Sequence, residues 1–509
     1  MPPAGRMDPI ELSLFASRLA AACDEMGAVL RRSALSPNIR ERLDFSCALF
    51  SADGFLAAQA AHIPVHLGSM AFAMGDLVRR RDWRPDDALV FNDPFLGGTH
   101  LPDVTLVAPV FVDDTLVGFV ANRAHHADIG ADAPGSMPLS TTLEEEGVLI
   151  PPLPYAEVDA LLSRLANPAR TRGDLAAQAS ANRAGARRVS ALAARMGVAE
   201  FADALHALDA YGARAAGSAL AALPAGRFTF TDLLDDDGAG TLDLPVAVEI
   251  TIAAGRITVD FAGTAPQCRG NLNCPLPVTA AAIWYAFRCL MPDGVPACHG
   301  AFASIEIRAP EGSLVNARRP AAVAAGNVET SQRIVDAVLG ALAQAAPERI
   351  CAAAQGTMNN VALGSRGSAP WDYYETLGGG LGAHAHGPGL SAVQAHMTNT
   401  LNTPAEVLEL ELPLRIREHA VRRGSGGAGL HGGGDGLVRE IEFLAPATVT
   451  LLTERRRRGP WGLAGGSDGA PGVNQLNGDL LPGKCCIAAD GGDRLRVETP
   501  GGGGWGRVL

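Results

Sequence analysis

The residues best suited to chemistry lie between Asn92 and Asp128. Asn92-Asp93-Pro94-Phe95-Leu96-Gly97-Gly98-Thr99-His100-Leu101-Pro102-Asp103 opens the stretch, and His125-His126-Ala127-Asp128-Ile129-Gly130 closes it. Five of the twelve histidines (His62, His66, His100, His125 and His126) fall between positions 62 and 126. Imidazole and carboxylate are common ligands of divalent cations. His100 and Asp103 are three residues apart, so a single turn presents both side chains on one face. His125 and His126 are adjacent, and neighbours in an extended chain point to opposite faces. Only one of them can therefore join His100 and Asp103 at a common centre. Two histidines and an aspartate leave coordination positions open for water and substrate, as a catalytic metal requires. Residue type alone leaves three readings: a metal site, a metal-free acid/base cluster, or buried structural polar groups. Asn92, Asp93 and Asp128 could orient the ligands through hydrogen bonds. Asp93, His126 and Asp128 are the candidate catalytic groups.

A second polar cluster precedes this stretch. Arg40-Glu41-Arg42-Leu43-Asp44 places four charges in five residues, just ahead of the apolar run Cys47-Ala48-Leu49-Phe50. It is either a solvated turn or a polar face of the same site. In the second case Arg40, Glu41 and Asp44 are candidates to contact substrate.

The elements that must position these residues are partly visible. Asp8-Pro9-Ile10-Glu11 has the spacing of a capping box with proline at the first helical position, and apolar residues recur at helical spacing to about Ala34. Ile63 to Met70 leads into a short helix. From Ala88 to Val120 strand-like runs alternate with turn signals at Asp113-Asp114 and Gly118. Residues 173–222 read as a helical hairpin broken at Gly197, with Arg187, Arg188 and Arg195 on its solvated side. Beyond Pro224, Val246 to Ile250 and Ile257 to Phe261 alternate with period two around a turn at Ala254-Gly255. Helices at Val278 to Leu290 and Ser331 to Leu342 flank a strand near Ile305. Gly378 to Trp505 is dense in glycine, which supplies turns and close backbone approach or an anion cradle. These elements predict an α+β, multi-layer mixed fold: an N-terminal helix-flanked sheet region, a helical hairpin, and a β-rich, glycine-rich C-terminal half. The corresponding sub-regions are 1–172, 173–222 and 223–509.

Composition narrows the function classes. The chain has 509 residues, a net charge of -12 and one basic block, Arg455-Arg456-Arg457-Arg458. That balance argues against nucleic acid, and the block is expected to form local salt bridges or a partner contact. The only lysine is Lys484, in Leu481-Pro482-Gly483-Lys484-Cys485. No phosphate-cradling Gly-x-x-x-x-Gly-Lys-Ser/Thr loop exists, so any ATP is expected on another subunit. Nine cysteines, with no Cys-x-x-Cys pair, read as reduced and mostly buried. No apolar run reaches the roughly 18 residues of a membrane span, and no basic leader precedes an apolar run. The expectation is a cytoplasmic chain with no membrane partner.

The order of motifs resembles the hydantoinase B/oxoprolinase family over residues 7–507. The stretches that carry the likeness are Asn38 to Ser46, Ile63 to Met70, Asn92 to Asp103, His125 to Gly130, Glu145 to Pro152, Thr398-Asn399-Thr400, Pro460 to Gly466 and Pro500 to Gly506. The resemblance implies a metal held by a His-x-x-Asp pair and a histidine 25 residues beyond the first, which maps onto His100, Asp103 and His125. The metal would be zinc, manganese or iron. It also implies a B-type subunit of an ATP-dependent cyclic-amide hydrolase, opening 5-oxoproline or a hydantoin ring. A partner A-type ATPase subunit would hold ATP and magnesium and phosphorylate the substrate, which water at the metal then attacks. The alternative implied is a metal-containing subunit of an ATP-dependent ketone carboxylase of the acetone carboxylase type. His386 and His431 stand where the family pattern leads one to expect an acidic residue and an arginine.

Overall fold

A computed structural model of the chain describes residues 7–508 except 61, 80, 368 and 369; the outer ends of the sub-regions 1–172 and 223–509 thus lie outside the described residues. Helix α1 (Pro9–Ser33) starts with the anticipated capping box, Asp8 accepting from Ile10 N and Glu11 reaching back to the cap. A short α2 (Pro37–Arg40) leads into the first sheet: β1 (Phe45–Ser51), β2 (Leu56–Gln59), β3 (Leu89–Phe91), β4 (Asp103–Val112), β5 (Thr115–His125) and β6 (Leu153–Pro154). Its order is β2-β1-β5-β4-β3-β6, antiparallel throughout. Both faces are covered, so β1 is buried at nearly every position instead of alternating. Cys47 and Leu49 belong to the core shared with α1 and with two later helices on the same face. Ala48 and Phe50 pack with Met70, Met74 and Val78 of α3 (Pro64–Arg79). A short α4 (Asp159–Leu162) then precedes those two helices, α5 (Pro168–Met196) and α6 (Val198–Leu220).

Three details depart from sequence expectation or refine it. The helix after Ile63 is not short but runs 16 residues. The helical pair begins at Pro168, with Asn167 capping its first turn, and breaks at Gly197 as anticipated. Gly118 lies inside β5 rather than in a turn, because a Cβ there would collide with the Phe50 carbonyl of the neighbouring strand. Asp113-Asp114 alone makes the turn.

The second sheet contains β7 (Gly226–Asp236), β8 (Leu242–Ala253), β9 (Arg256–Asp260) and β10 (Ile305–Arg308). Ala254 and Gly255, both at positive φ, close the β8–β9 hairpin. Helices α7 (Leu276–Arg288) and α8 (Ser331–Ala345) share the largest apolar core with this sheet. Beyond it lie β11 (Asn360–Ser365), β12 (Trp371–Glu375), the short α9 (Ala405–Glu411), β13 (Leu414–Arg422), β14 (Gly436–Phe443), β15 (Ala447–Leu452), β16 (Val473–Leu476), β17 (Asp479–Leu481), β18 (Lys484–Ala489) and β19 (Arg494–Glu498). They form sheets of order β12-β11-β15-β18 and β13-β14-β19-β16-β17, which share one core.

The glycine runs are structural. Gly502 N donates to Gly434 O, Gly434 N to Leu381 O, and Gly427 N to Gly502 O. A Cβ on Gly502 would overlap the Leu381 carbonyl. These backbones bond to each other, so the N–H groups named are not free to cradle an anion. All nine cysteines are free. The arginine run forms local salt bridges, Arg455 with Asp232 and Asp336, and Arg457 and Arg458 with Asp243. No helix among the described residues is long and apolar enough to cross a membrane.

Candidate metal centre

Antiparallel register creates the site. Asp103 is the first residue of β4 and His125 the last of β5, and they are directly opposed across the ladder. His100 sits in the tight turn before β4, where Asp103 N donates to His100 O at 3.1 Å. Asp103 Oδ1 lies 3.2 Å from His125 Nδ1 and 3.3 Å from His100 Nε2. One ligand atom from each of the three residues falls within 4.8 Å of the others, and all three residues are buried. Asp103 Oδ2 accepts from Thr99 Oγ1 and lies 3.2 Å from His66 Nε2 and 3.4 Å from Asn327 Nδ2.

Surrounding groups hold the rings in place. His100 Nδ1 is 3.2 Å from the Ala324 carbonyl. That contact assigns a proton to Nδ1 and, in the neutral ring, turns the Nε2 lone pair towards Asp103 Oδ1. Two acceptors so close repel unless a proton or a cation stands between them. His125 stacks on Tyr374 with centroids 4.7 Å apart. Its Nε2 is buried without a hydrogen-bond partner, as is that of His100, and buried polar atoms are rarely left so. Burial lowers the His125 pKa, and Asp103 offsets only part of that. At His100 burial acts in the same direction, but the charge of the facing Asp103 carboxylate outweighs it and the net shift is upward. Burial would raise Asp103; the facing His100 and His66 overcome it and hold the carboxyl well below its usual range. This donor set, two imidazoles and a carboxylate with orphaned nitrogens, fits a divalent cation.

The sequence-predicted residues are distributed unevenly around this centre. Asp44 lines the same small cavity, about 20 Å³, as His66, His100, Asp103 and His125. Arg40 pairs with Glu41 and Glu411 on a partly exposed rim, and neither Arg40 nor Glu41 borders that cavity. Asp93 caps the turn at Phe95 N and pairs with Arg319. Asn92 bonds Leu101 O, Val148 O and Ile150 N, tying down the loop that carries His100. His126 is directed elsewhere: its Nε2 meets Gln178 Oε1 at 3.0 Å, and it borders a separate cavity with Asp128. Asp128 accepts from Gly130 N and Asn167 N.

The chain read as a string leaves the roles of His66 and Glu146 open, although both lie in motifs, and does not mark Asn327 or Tyr374. Glu146 accepts from Val323 N, Ala324 N and Ser140 Oγ, each at 2.8 Å. It thereby fixes the segment whose carbonyl holds His100. Burial pushes its carboxyl up to about 7, against those hydrogen bonds. The only signal for His66 is its place in a motif. Asn327 and Tyr374 reach the site from the segment before α8 and from β12, and no local pattern marks them.

A family model described as hydantoinase B/oxoprolinase matches residues 8–508. The chain belongs to the hydantoinase B/oxoprolinase family. It is 38% identical to 5-oxoprolinase 1 of Arabidopsis thaliana, over 98% of this chain and 42% of that protein. The chain thus spans about two fifths of the length of that relative. It is 30% identical to the B-type subunit of a putative D-/L-hydantoinase from a Pseudomonas strain, over 99% of this chain and 91% of the other. Among solved structures, the ATP-dependent caprolactamase from Pseudomonas jessenii superposes with a TM-score of 0.92 at 26% identity, covering 99% of this chain and 93% of that one. Family membership and the α+β fold therefore agree with the resemblance read from the motifs.

Proposed function

We propose that this hydantoinase B/oxoprolinase chain is the B-type part of an ATP-dependent cyclic-amide hydrolase that opens 5-oxoproline or a hydantoin ring. The observation that carries the reading is the buried convergence of His100, Asp103 and His125, with two orphaned imidazole nitrogens, in a chain similar to 5-oxoprolinase and to a hydantoinase component. ATP would be used by an A-type partner, since this chain holds no phosphate-binding lysine loop.

His100, Asp103 and His125 would hold zinc, manganese or iron. A divalent cation there would lower the pKa of water and polarise the amide carbonyl. The chain's own contribution is orientation. Glu146 and the Ala324 carbonyl lock His100, Tyr374 supports the His125 ring, and Thr99, His66 and Asn327 fix the second oxygen of Asp103. His66 Nε2, 3.2 Å from that oxygen, is placed to hold or move a proton. Arg42 lies over the Tyr374 ring, 4.9 Å from its centroid, and 3.5 Å from Asp44, which closes the cavity on that side.

The test is ADP release by this chain reconstituted with an A-type ATPase, given 5-oxoproline or hydantoin without bicarbonate. ADP and the ring-opened acid formed in step are expected. Turnover that occurs only with a ketone and bicarbonate would replace the hydrolase reading with the carboxylase one.

A further inference from the structure

The cavity at the metal centre is about 20 Å³, room for about one water-sized group and far too small for a ring. A second cavity of about 380 Å³ lies behind one shared wall. Thr398 borders both, and two segments run between them. In α3, Pro64 and Gly68 border the larger cavity, whereas Val65 and His66 border the smaller. In the loop after Val393, His396 and Asn399 border the larger, whereas Met397 and Thr400 border the smaller. The cavities beside His126 and beside Arg319, though larger, share no lining residue with the metal centre.

The walls of the cavity behind Thr398 specify a ligand. Trp284 and Phe302 are stacked, 5.2 Å between centroids, beside Pro64 and Ala281; such surfaces take a flat or compact ring. Two amide side chains, those of Gln59 and Gln394, belong to its wall. Gln394 Nε2 donates to Thr376 O, so its Oε1 is the free carbonyl, buried and without a partner. Gln59 Oε1 is likewise buried and unpartnered. Burial keeps His396 below its ordinary pKa despite Asp336, whose carboxylate stands 3.7 Å behind the ring, so this histidine brings no charge at pH 7. The cationic group is Arg288. No aspartate or glutamate lines the cavity, and among the described residues no acidic side chain pairs with this arginine. Its guanidinium makes only 3.4 Å contacts to the carbonyls of Pro292 and Asp293.

We propose that the cavity between α3 and α7 is the binding pocket for a cyclic amide that carries a carboxylate. The ring sits against Trp284 and Phe302, beside the side chains of Gln59 and Gln394, and its carboxylate pairs with Arg288. The proposal rests on the cyclic-amide reading above and names the site and the charge of the substrate. Thr398 is the residue the two cavities share, so the pocket adjoins the metal centre on that side.

Binding measured without ATP or partner separates this pocket from catalysis. The probes are 5-oxoproline and its uncharged analogue 2-pyrrolidinone, titrated into this chain and followed by ligand-observed NMR and by tryptophan fluorescence. The expected result is that 5-oxoproline binds more tightly and that Arg288→Gln weakens it by about tenfold or more, the scale of a lost charge-assisted hydrogen bond. The same substitution should leave 2-pyrrolidinone unchanged, and Arg288→Lys should restore part of the difference. Ala297→Trp, which fills the cavity from its half-buried side, should abolish binding of both. Failure of 5-oxoproline to bind the wild-type chain, or equal binding by Arg288→Gln, overturns the pocket. A chain that binds as described but shows no ring opening with the ATPase overturns the hydrolase reading and supports the pocket.

Discussion

Asp103 is the residue on which the centre turns. Its two oxygens face His100, His125, His66, Thr99 and Asn327, so its loss leaves several buried groups unmatched at once. Asp103→Asn and His100→Ala are each expected to remove stoichiometric metal, read by elemental analysis of purified protein, while far-ultraviolet circular dichroism stays native. Wild-type protein free of bound metal, or a fully active His100→Ala, would sink the metal reading. His66 touches the carboxylate without belonging to the group of three. His66→Ala should therefore weaken metal by about ten- to a hundredfold, the usual effect of losing a group that orients a ligand, rather than abolish it. A competitive chelator titration distinguishes the two classes. His62, four residues earlier, differs in kind. Burial drops it to about 4, so this imidazole stays neutral while its Nδ1 accepts from Cys47 N.

At the scale of elements, α3 and α7 set the spacing of the site. Gly68 is where they touch: a Cβ there would stand 2.5 Å from Ala281 Cα. Because α3 carries His66 and α7 carries Trp284 and Arg288, Gly68→Ala should push both cavities out of shape. The expected loss is about 1–3 kcal/mol of stability, typical of overpacking, with activity falling more than stability; urea melts and kinetics on one preparation show whether it does. The turn that enters α8 carries another testable group. Glu329 is fully buried and is pushed up to about 8 by burial and then by the nearby Glu454. A carboxyl raised above its unfolded value keeps its proton when folded. Its stabilising contribution is complete below about pH 4.5 and is lost as pH rises towards 8. Glu329→Gln mimics the protonated form, so the variant should gain on wild type as pH rises from about 5 to 8. The gain has a ceiling of about 1.4 kcal/mol per pH unit for one proton. Thermal melts across that range that stay parallel would refute the assignment.

At the scale of the whole molecule, the arginine run and the lone lysine join the C-terminal sheets to the second sheet. Arg455 meets Asp232 of β7 and Asp336 of α8, both at 2.6 Å, and Lys484 Nζ, held by Glu454 at 2.6 Å, lies 3.9 Å from Asp236 of β7. Removing one partner strands a buried charge, so Arg455→Met should cost about 3–5 kcal/mol. A denaturation midpoint unchanged from wild type would contradict that. Much of this molecule was legible in the chain itself. The capping box at Asp8, the period-two runs at Val246 and Ile257, the break at Gly197 and the His-x-x-Asp spacing are local signals, and local backbone preferences carry them. The single lysine, likewise a property of composition alone, is what directs the expectation of ATP to a partner. Tertiary structure decided the rest. The motif resemblance already pointed to His125; register across β4 and β5 supplies the geometry, setting His125 opposite Asp103 while His126 turns to Gln178. The aromatic cavity, and the arrival of His66 and Asn327 at one carboxylate with Tyr374 beneath His125, depend on contacts between distant segments. No spacing along the chain records which faces those segments will share.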